Sequence, residues 1–260
     1  MQRRLRLLPM SVRPILTVCV VLVAWGIVTS SGWINPLFLP RLTSLGRAIL
    51  STLSSRDTYV DIYATSYRAL GGLALSFIFA VPLGLLFGRL PGLYAFVELP
   101  VDFFRSIPSS SLFLLFVLFF GLGDAAKIAV VFYGCSLILL VNTVYGARPS
   151  REKQDRINML RSFGANPWQV FSLAVLRDAI PHISAGVRVC VSLALVLVIV
   201  TEMFLSAANG LGRRIYDHYL AYRVPEMYAV IIVLGLLGFC ANRFSLLVEQ
   251  RITFWLPRQS

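Results

Sequence analysis

Long stretches without a charged residue alternate along the chain with short polar segments. The first runs from Pro14 to Ile34, 21 residues, which as a helix reach about 31 Å and span a bilayer's hydrocarbon core. Uncharged runs follow at residues 69–88, 106–123, 128–147 and 227–242, and the run 189–205 is broken only by Glu202. This pattern predicts six membrane helices. Residues 1–13 form a cytoplasmic N-terminal tail, 14–34 the first helix, 35–68 an external segment, 69–250 the other five helices with a loop at 146–183, and 251–260 a C-terminal tail. Arg3, Arg4 and Arg6 before an apolar run also fit a signal peptide, but the run is long and no Ala-x-Ala site follows, so it reads as an uncleaved helix.

Within 35–68 the pattern changes. Leu42, Leu45, Ile49 and Leu53 recur at helical spacing and predict an amphipathic helix on the outer face. Tyr59, Tyr63 and Tyr67 follow at four-residue steps, an interfacial stripe of the kind tyrosine favours. Gly71, Gly72, Pro82 and Gly84, poor choices in a soluble helix, suit membrane helices that pack closely.

Composition agrees, with 57% hydrophobic and 14% charged residues. A formal charge of +12 on a soluble fold would point to nucleic acid. Here the charges lie between apolar runs, so topology explains them and no nucleic-acid partner is expected. With the N-terminus inside, cytoplasmic segments hold 16 of the 24 Arg and Lys, which places both termini in the cytoplasm.

Candidate chemistry is sparse. No GxxxxGK[ST] occurs, so the chain itself cradles no nucleotide phosphate. No serine, histidine and acid stand together as a catalytic set, and His182 and His218 fall at loop edges. Cys19, Cys135, Cys190 and Cys240 lie inside apolar runs and read as packing residues rather than disulfides or metal ligands. Neither a cofactor nor a metal is expected.

The informative loop follows the fourth span: GARPSREKQDRINMLRSFGANPWQVFSLAVLRDAIPHISAGVR. It is charged early and amphipathic in the middle, with Ile157, Met159 and Leu160 near one face, and breaks at Gly164 and Pro167. Helix, glycine turn and second helix make a knob projecting into the cytoplasm, a shape that docks into a groove of a soluble partner.

The runs RSFGANPWQVF, IPHISAGVRV, TEMF and GLGRRIYDHYLAYRVPEMYAVI, with FLPRLTSLGRAIL and VDFFRSIPSSSLFLLFVLFFGLGDAAKIAV earlier, resemble the permease subunits of bacterial ABC importers. The likeness is strongest to the nitrate, sulfonate, taurine and bicarbonate group. It implies an all-α polytopic bundle of the type I importer kind in the inner membrane, with a second permease copy, separate ATPase subunits that bind ATP, and an external solute-binding protein. It implies also that the loop is a coupling element meeting the ATPase through Asn158, Arg161, Ser162, Phe163, Gly164, Ala165, Asn166 and Pro167. The usual loop pattern begins Glu-Ala-Ala, and here Asn158, Met159 and Leu160 stand in those places. Arg177 replaces the first proline, while Gly164 and Pro181 match.

For the translocation path the candidates are Arg105, Ser106, Pro108, Ser109, Asn142 and Glu202. The resemblance sets the segment 105–111 beside the path, where Arg105 and the following helix N-terminus offer a transient positive site to an anion. Asn142 is expected to bond across helices. Glu202, costly in a membrane unless paired, takes either a gating role or an ion pair with Arg213 or Arg214. A stand-alone secondary transporter or channel is the competing reading, but only Glu202 interrupts a span, where such proteins often carry several buried acids.

Overall fold

A computed structural model describes residues 12–32, 34–35, 37–204 and 208–255. The predicted tail at 1–11, the end of the fifth span at 205 and the last residues at 256–260 lie outside them. Ten helices carry the description: α1 (Val12–Ser30), α2 (Leu42–Ser54), α3 (Arg56–Arg89), α4 (Pro91–Ser106), α5 (Phe113–Phe120), α6 (Asp124–Ala147), α7 (Arg151–Ser162), α8 (Pro167–Phe204), α9 (Leu211–Leu220) and α10 (Val224–Ile252). No strand occurs among the described residues.

Four helices, α3, α6, α8 and α10, are long and apolar enough to cross a membrane, and the bent pair of α4 with 109–120 brings the number to five when its two arms are counted as one span. The apolar helix described from Leu16 to Ser30 is shorter, so the first predicted span ends four residues before Ile34. The third span also differs from expectation. It does not begin at Ser106. The chain enters at Pro91, kinks by 80° around 107–108, and resumes through a 3-10 turn at Ser109–Leu112. Ile107 and Pro108 adopt extended backbone, which the residue before a proline favours.

Residues 56–68, expected on the surface, instead begin α3. At 34 residues this helix is about 51 Å long, well beyond the ~30 Å hydrocarbon core. Tyr59, Tyr63 and Tyr67 form an exposed stripe along it. α2 is amphipathic as the spacing predicted, burying Leu45 and Ala48 and packing on α10.

The core is a three-helix unit in which α6 lies between α3 and α8. In a membrane, apolar side chains gain little by leaving lipid, so helices associate through close packing and small residues. α3 supplies those at every fourth position: Gly72, Ser76, Ala80, Gly84 and Gly88, all buried. A methyl group added at Gly72 would lie 2.5 Å from the Val131 side chain, and one at Gly84 would lie 2.6 Å from Thr143. The Ser76 hydroxyl donates to the Phe132 carbonyl across the seam at 3.0 Å. α8 docks on the other side of α6, where Cys135 and Cys190 face each other and each thiol donates to the other's carbonyl at 3.6 and 3.4 Å.

Candidate functional site

Between α6 and α8 the chain forms a helical hairpin. Ser150 caps α7 by accepting from the Lys153 amide. The other end of α7 closes with the Gly164 amide donating to the Arg161 carbonyl at 2.9 Å and the Ala165 amide to Leu160 at 3.0 Å. That pair of bonds is a Schellman closure, and it requires the positive φ of +80° found at Gly164. Two residues later Asn166 and Gln169 cap each other's backbone at 2.8 Å, with Pro167 pre-set at the first helical position. The turn is therefore built, not loose.

One side of the hairpin is anchored. Ile157 is buried and Leu160 packs into the same core as Val170, Ala174 and Ala179. The Lys153 ammonium donates to the Gly146 carbonyl at 2.6 Å, and Arg156 pairs with Asp178 at 2.5 Å. The other side is free and apolar: Phe163 is 83% exposed, Trp168 72% and Met159 54%. Met159 thus leaves the face it was expected to share with Ile157 and Leu160. The Asn158 side-chain oxygen accepts from Gln154, one turn back, at 3.2 Å and its carbonyl from the Ser162 hydroxyl at 3.0 Å, and Arg161 and Ser162 are exposed beside it.

At the opposite end of the bundle lies a buried charge cluster. Glu202 has no exposed surface, and its partner is Arg68 of α3 at 2.5 Å, not Arg213 or Arg214. Arg214 pairs with Asp61 at 2.5 Å and Arg213 with Asp217 at 3.2 Å. Arg68 also reaches Asp124 at 2.9 Å and the Asn209 carbonyl at 2.7 Å. Asp61, Thr65 and Arg68, one stripe of α3, together with Glu202 hold the backbone of residues 209–212: the Gly210 amide donates to Asp61, Leu211 to Thr65 and Gly212 to Glu202. These are the free amides at the start of α9, where carboxylates complement the helix dipole. A side chain at Gly210 would collide with the Glu202 carboxyl. The cluster clamps the start of α9, with Glu202 fully buried inside it.

The remaining candidates do not converge on one point. Arg105 pairs with exposed Asp102 at 3.3 Å, and the Ser106 hydroxyl donates to the Asp102 carbonyl. Pro108 opens the 3-10 turn, and Ser109 sits against Gly134 of α6. The Tyr133 hydroxyl donates to the Phe104 carbonyl at 2.6 Å, so this bend lies beside the interior of α6 rather than at its end. Arg105 accordingly sits at bundle depth, not on the rim. Asn142 bonds to Ile138 in its own helix at 2.9 Å and packs against Gly186 of α8. Among the described residues it does not make the expected cross-helix bond, since the face of α8 it meets is Gly186, which has no side chain to offer. The sequence reading missed Asp61, Thr65 and Arg68, whose spacing along one helix face was the available signal.

The chain has recognisable relatives. A probable ABC transporter permease of Brucella abortus is 28% identical over 90% of this chain and 91% of its own. The taurine transport system permease TauC of Escherichia coli is 25% identical over 92% and 88%, and the nitrate import permease NrtB of Synechocystis 24% over 94% and 90%. The inward-facing MetNI methionine ABC transporter has the same fold, with a TM-score of 0.63 at 21% identity, covering 75% of this chain and 95% of that one. The sequence profile of one family matches residues 77–254, and on that match the chain belongs to the binding-protein-dependent transport system inner membrane components.

Proposed function

We propose that this chain is the permease subunit of an ATP-driven importer for a small anionic solute of the nitrate, sulfonate or taurine class. The hairpin α7–α8 is its coupling element. It faces the cytoplasm, and the end carrying α9 faces outward toward a solute-binding protein. A separate ATPase binds and hydrolyses ATP, this chain holds no cofactor, and a second copy completes the path. The observation that carries the reading is the hairpin's construction: a turn fixed on both sides by caps, anchored to α8, and presenting Phe163 and Trp168 to a partner. Exposed aromatic anchors on a rigid helix end are what a groove on a partner grips. Gly164, Ala165, Asn166 and Pro167 hold the turn, while Asn158, Arg161 and Ser162 line its rim.

The solute class rests on the taurine, sulfonate and nitrate permeases among the relatives. Arg105, Ser106, Pro108 and Ser109 mark the path at the break in the third span, since unwound segments inside a bundle expose backbone groups and helix ends to a solute. Asn142 stands deeper along α6. Co-purification with the ATPase tests the coupling role. Phe163→Asp is expected to abolish association while the permease keeps its thermal stability, and Gly164→Trp to abolish it with some loss of stability, because a side chain is strained at the positive φ of that position. Undiminished association and transport in both variants overturns the assignment.

A further inference from the structure

Two cavities at the hairpin end lie on neighbouring faces of α8, one apolar and one carrying basic side chains, and we propose that together they bind an anionic phospholipid. The first is a groove of about 420 Å³ between α3, α8 and α10, lined almost wholly by apolar side chains such as Leu73, Phe77, Ile180, Val187, Phe244 and Val248. Glu249, the acid among its lining residues, is held by Arg188 at 3.2 Å. The second is a polar cavity of about 660 Å³ whose lining includes Lys153, Arg156, Arg177, His182 and Trp255.

The two are lined by neighbouring faces of α8. Leu176 and Ile180 face the groove while Arg177 and Pro181, their neighbours in sequence, face the polar cavity. At the end of α10 Ile252 lines the one, and just beyond it Trp255 lines the other. An apolar trough beside a pocket with basic side chains at a bundle end suits acyl chains next to a phosphate.

The charges favour an anion. Asp178 pairs with Arg156 through Oδ1, while its buried Oδ2 has no hydrogen-bond partner among the described residues. Lys153 donates to the carbonyls of Gly146 and Arg148, and among the described residues neither it nor Arg177 forms an ion pair. Arg177 is stacked on Trp255 at 5.0 Å, a contact that orients the guanidinium without neutralising it. Glu152 also lines the cavity, which leaves one net positive charge among its lining residues. Basic pockets between membrane helices on the cytoplasmic side bind phospholipid head groups in this way. The side on which the lipid lies rests on the orientation proposed above, but the binding does not.

The test uses the full chain, purified in detergent from membranes containing phosphatidylglycerol and phosphatidylcholine, with retained lipid read by native mass spectrometry. Phosphatidylglycerol is expected to stay with the wild type and with a control, Arg243→Gln, at an exposed site outside both cavities. Arg177→Gln should retain about fivefold less, Arg177→Lys should recover most of it, and Val248→Trp, which fills the groove from a partly exposed position, should exclude the lipid. Equal retention in every variant, or phosphatidylcholine held as firmly as phosphatidylglycerol, overturns the proposal. So does inorganic phosphate that displaces the lipid outright, which would mark a free-oxyanion site, and so does a Val248→Trp variant that alters self-association and leaves lipid unchanged. Because the readout needs no ATPase, its failure is separate from a failure of the coupling role.

Discussion

Glu202 keeps a carboxyl group in a site with no exposed surface because three kinds of donor converge on it: the Arg68 guanidinium, the Thr65 hydroxyl and the Gly212 amide. A buried pair of this type contributes little net stability compared with an apolar replacement, yet breaking it by removing one partner strands the other charge at a cost of about 3–5 kcal/mol. Glu202→Ala is therefore expected to lower the unfolding temperature in detergent sharply, and Asp124→Asn far less, since the Asp124 side chain is 49% exposed. Equal melting of the two variants would contradict the clamp. The acid was visible in the sequence as the sole charge in its span, but its partner was not. Arg68 lies 134 positions away, in a segment whose tyrosines and charges read as surface, and only the continuation of α3 past the membrane places it against Glu202. His218, on α9, belongs to the same end. Burial, then the nearby positive charge of Arg214 and Arg223, lowers its pKa, opposed by Glu226 and Asp217. A base whose folded pKa is depressed costs stability when the unfolded chain takes up the proton first. The loss should begin as pH falls past about 6.5, the ordinary histidine value, and level off below the folded value. A melting-temperature profile across that range should flatten in His218→Gln.

Among the elements, α3 shows best what periodicity reveals and what it hides. Its hydropathy marked a membrane span, and the glycines hinted at close packing, but the four-residue repeat of Gly72, Ser76, Ala80, Gly84 and Gly88 becomes meaningful only when α6 is seen lying along it. Without that seam the backbones cannot approach, and the dispersion contacts that replace the hydrophobic effect in lipid are lost. Gly84→Leu must push Thr143 and the Leu140 carbonyl aside, an overpacking strain of about 3 kcal/mol. Gly92, where an added methyl meets nothing within 4 Å, is the matched control, and Gly92→Leu should leave the melting temperature nearly unchanged. The hairpin was legible for a different reason. Its signals are local: Gly164 at the end of α7, Pro167 at the start of α8, and a polar N-cap before it. The broken third span was not, because Ser106 to Gly123 carries no charge and hydropathy cannot distinguish one helix from two joined at an 80° bend.

For the whole molecule, the two ends differ in kind. One ends in the α7–α8 hairpin with its aromatic crown; the other ends in α9, clamped through its first turn by Asp61, Thr65 and Glu202. Odd and even membrane segments fix which side each faces once a single point is known, and the excess of arginine near the hairpin is the ground for proposing that it faces the cytoplasm. A membrane-impermeant maleimide reads this directly. Phe163 and Tyr222 are at least 80% exposed at opposite ends, so cysteines placed there report on the two compartments. The four natural cysteines lie in apolar helices, two of them fully buried against each other, and give little background with a polar reagent. Tyr222→Cys is expected to label in intact cells, and Phe163→Cys only in inverted vesicles or after permeabilisation. Labelling of Phe163→Cys in intact cells would turn the bundle over, and with it both the coupling role of the hairpin and the leaflet from which the proposed lipid is drawn.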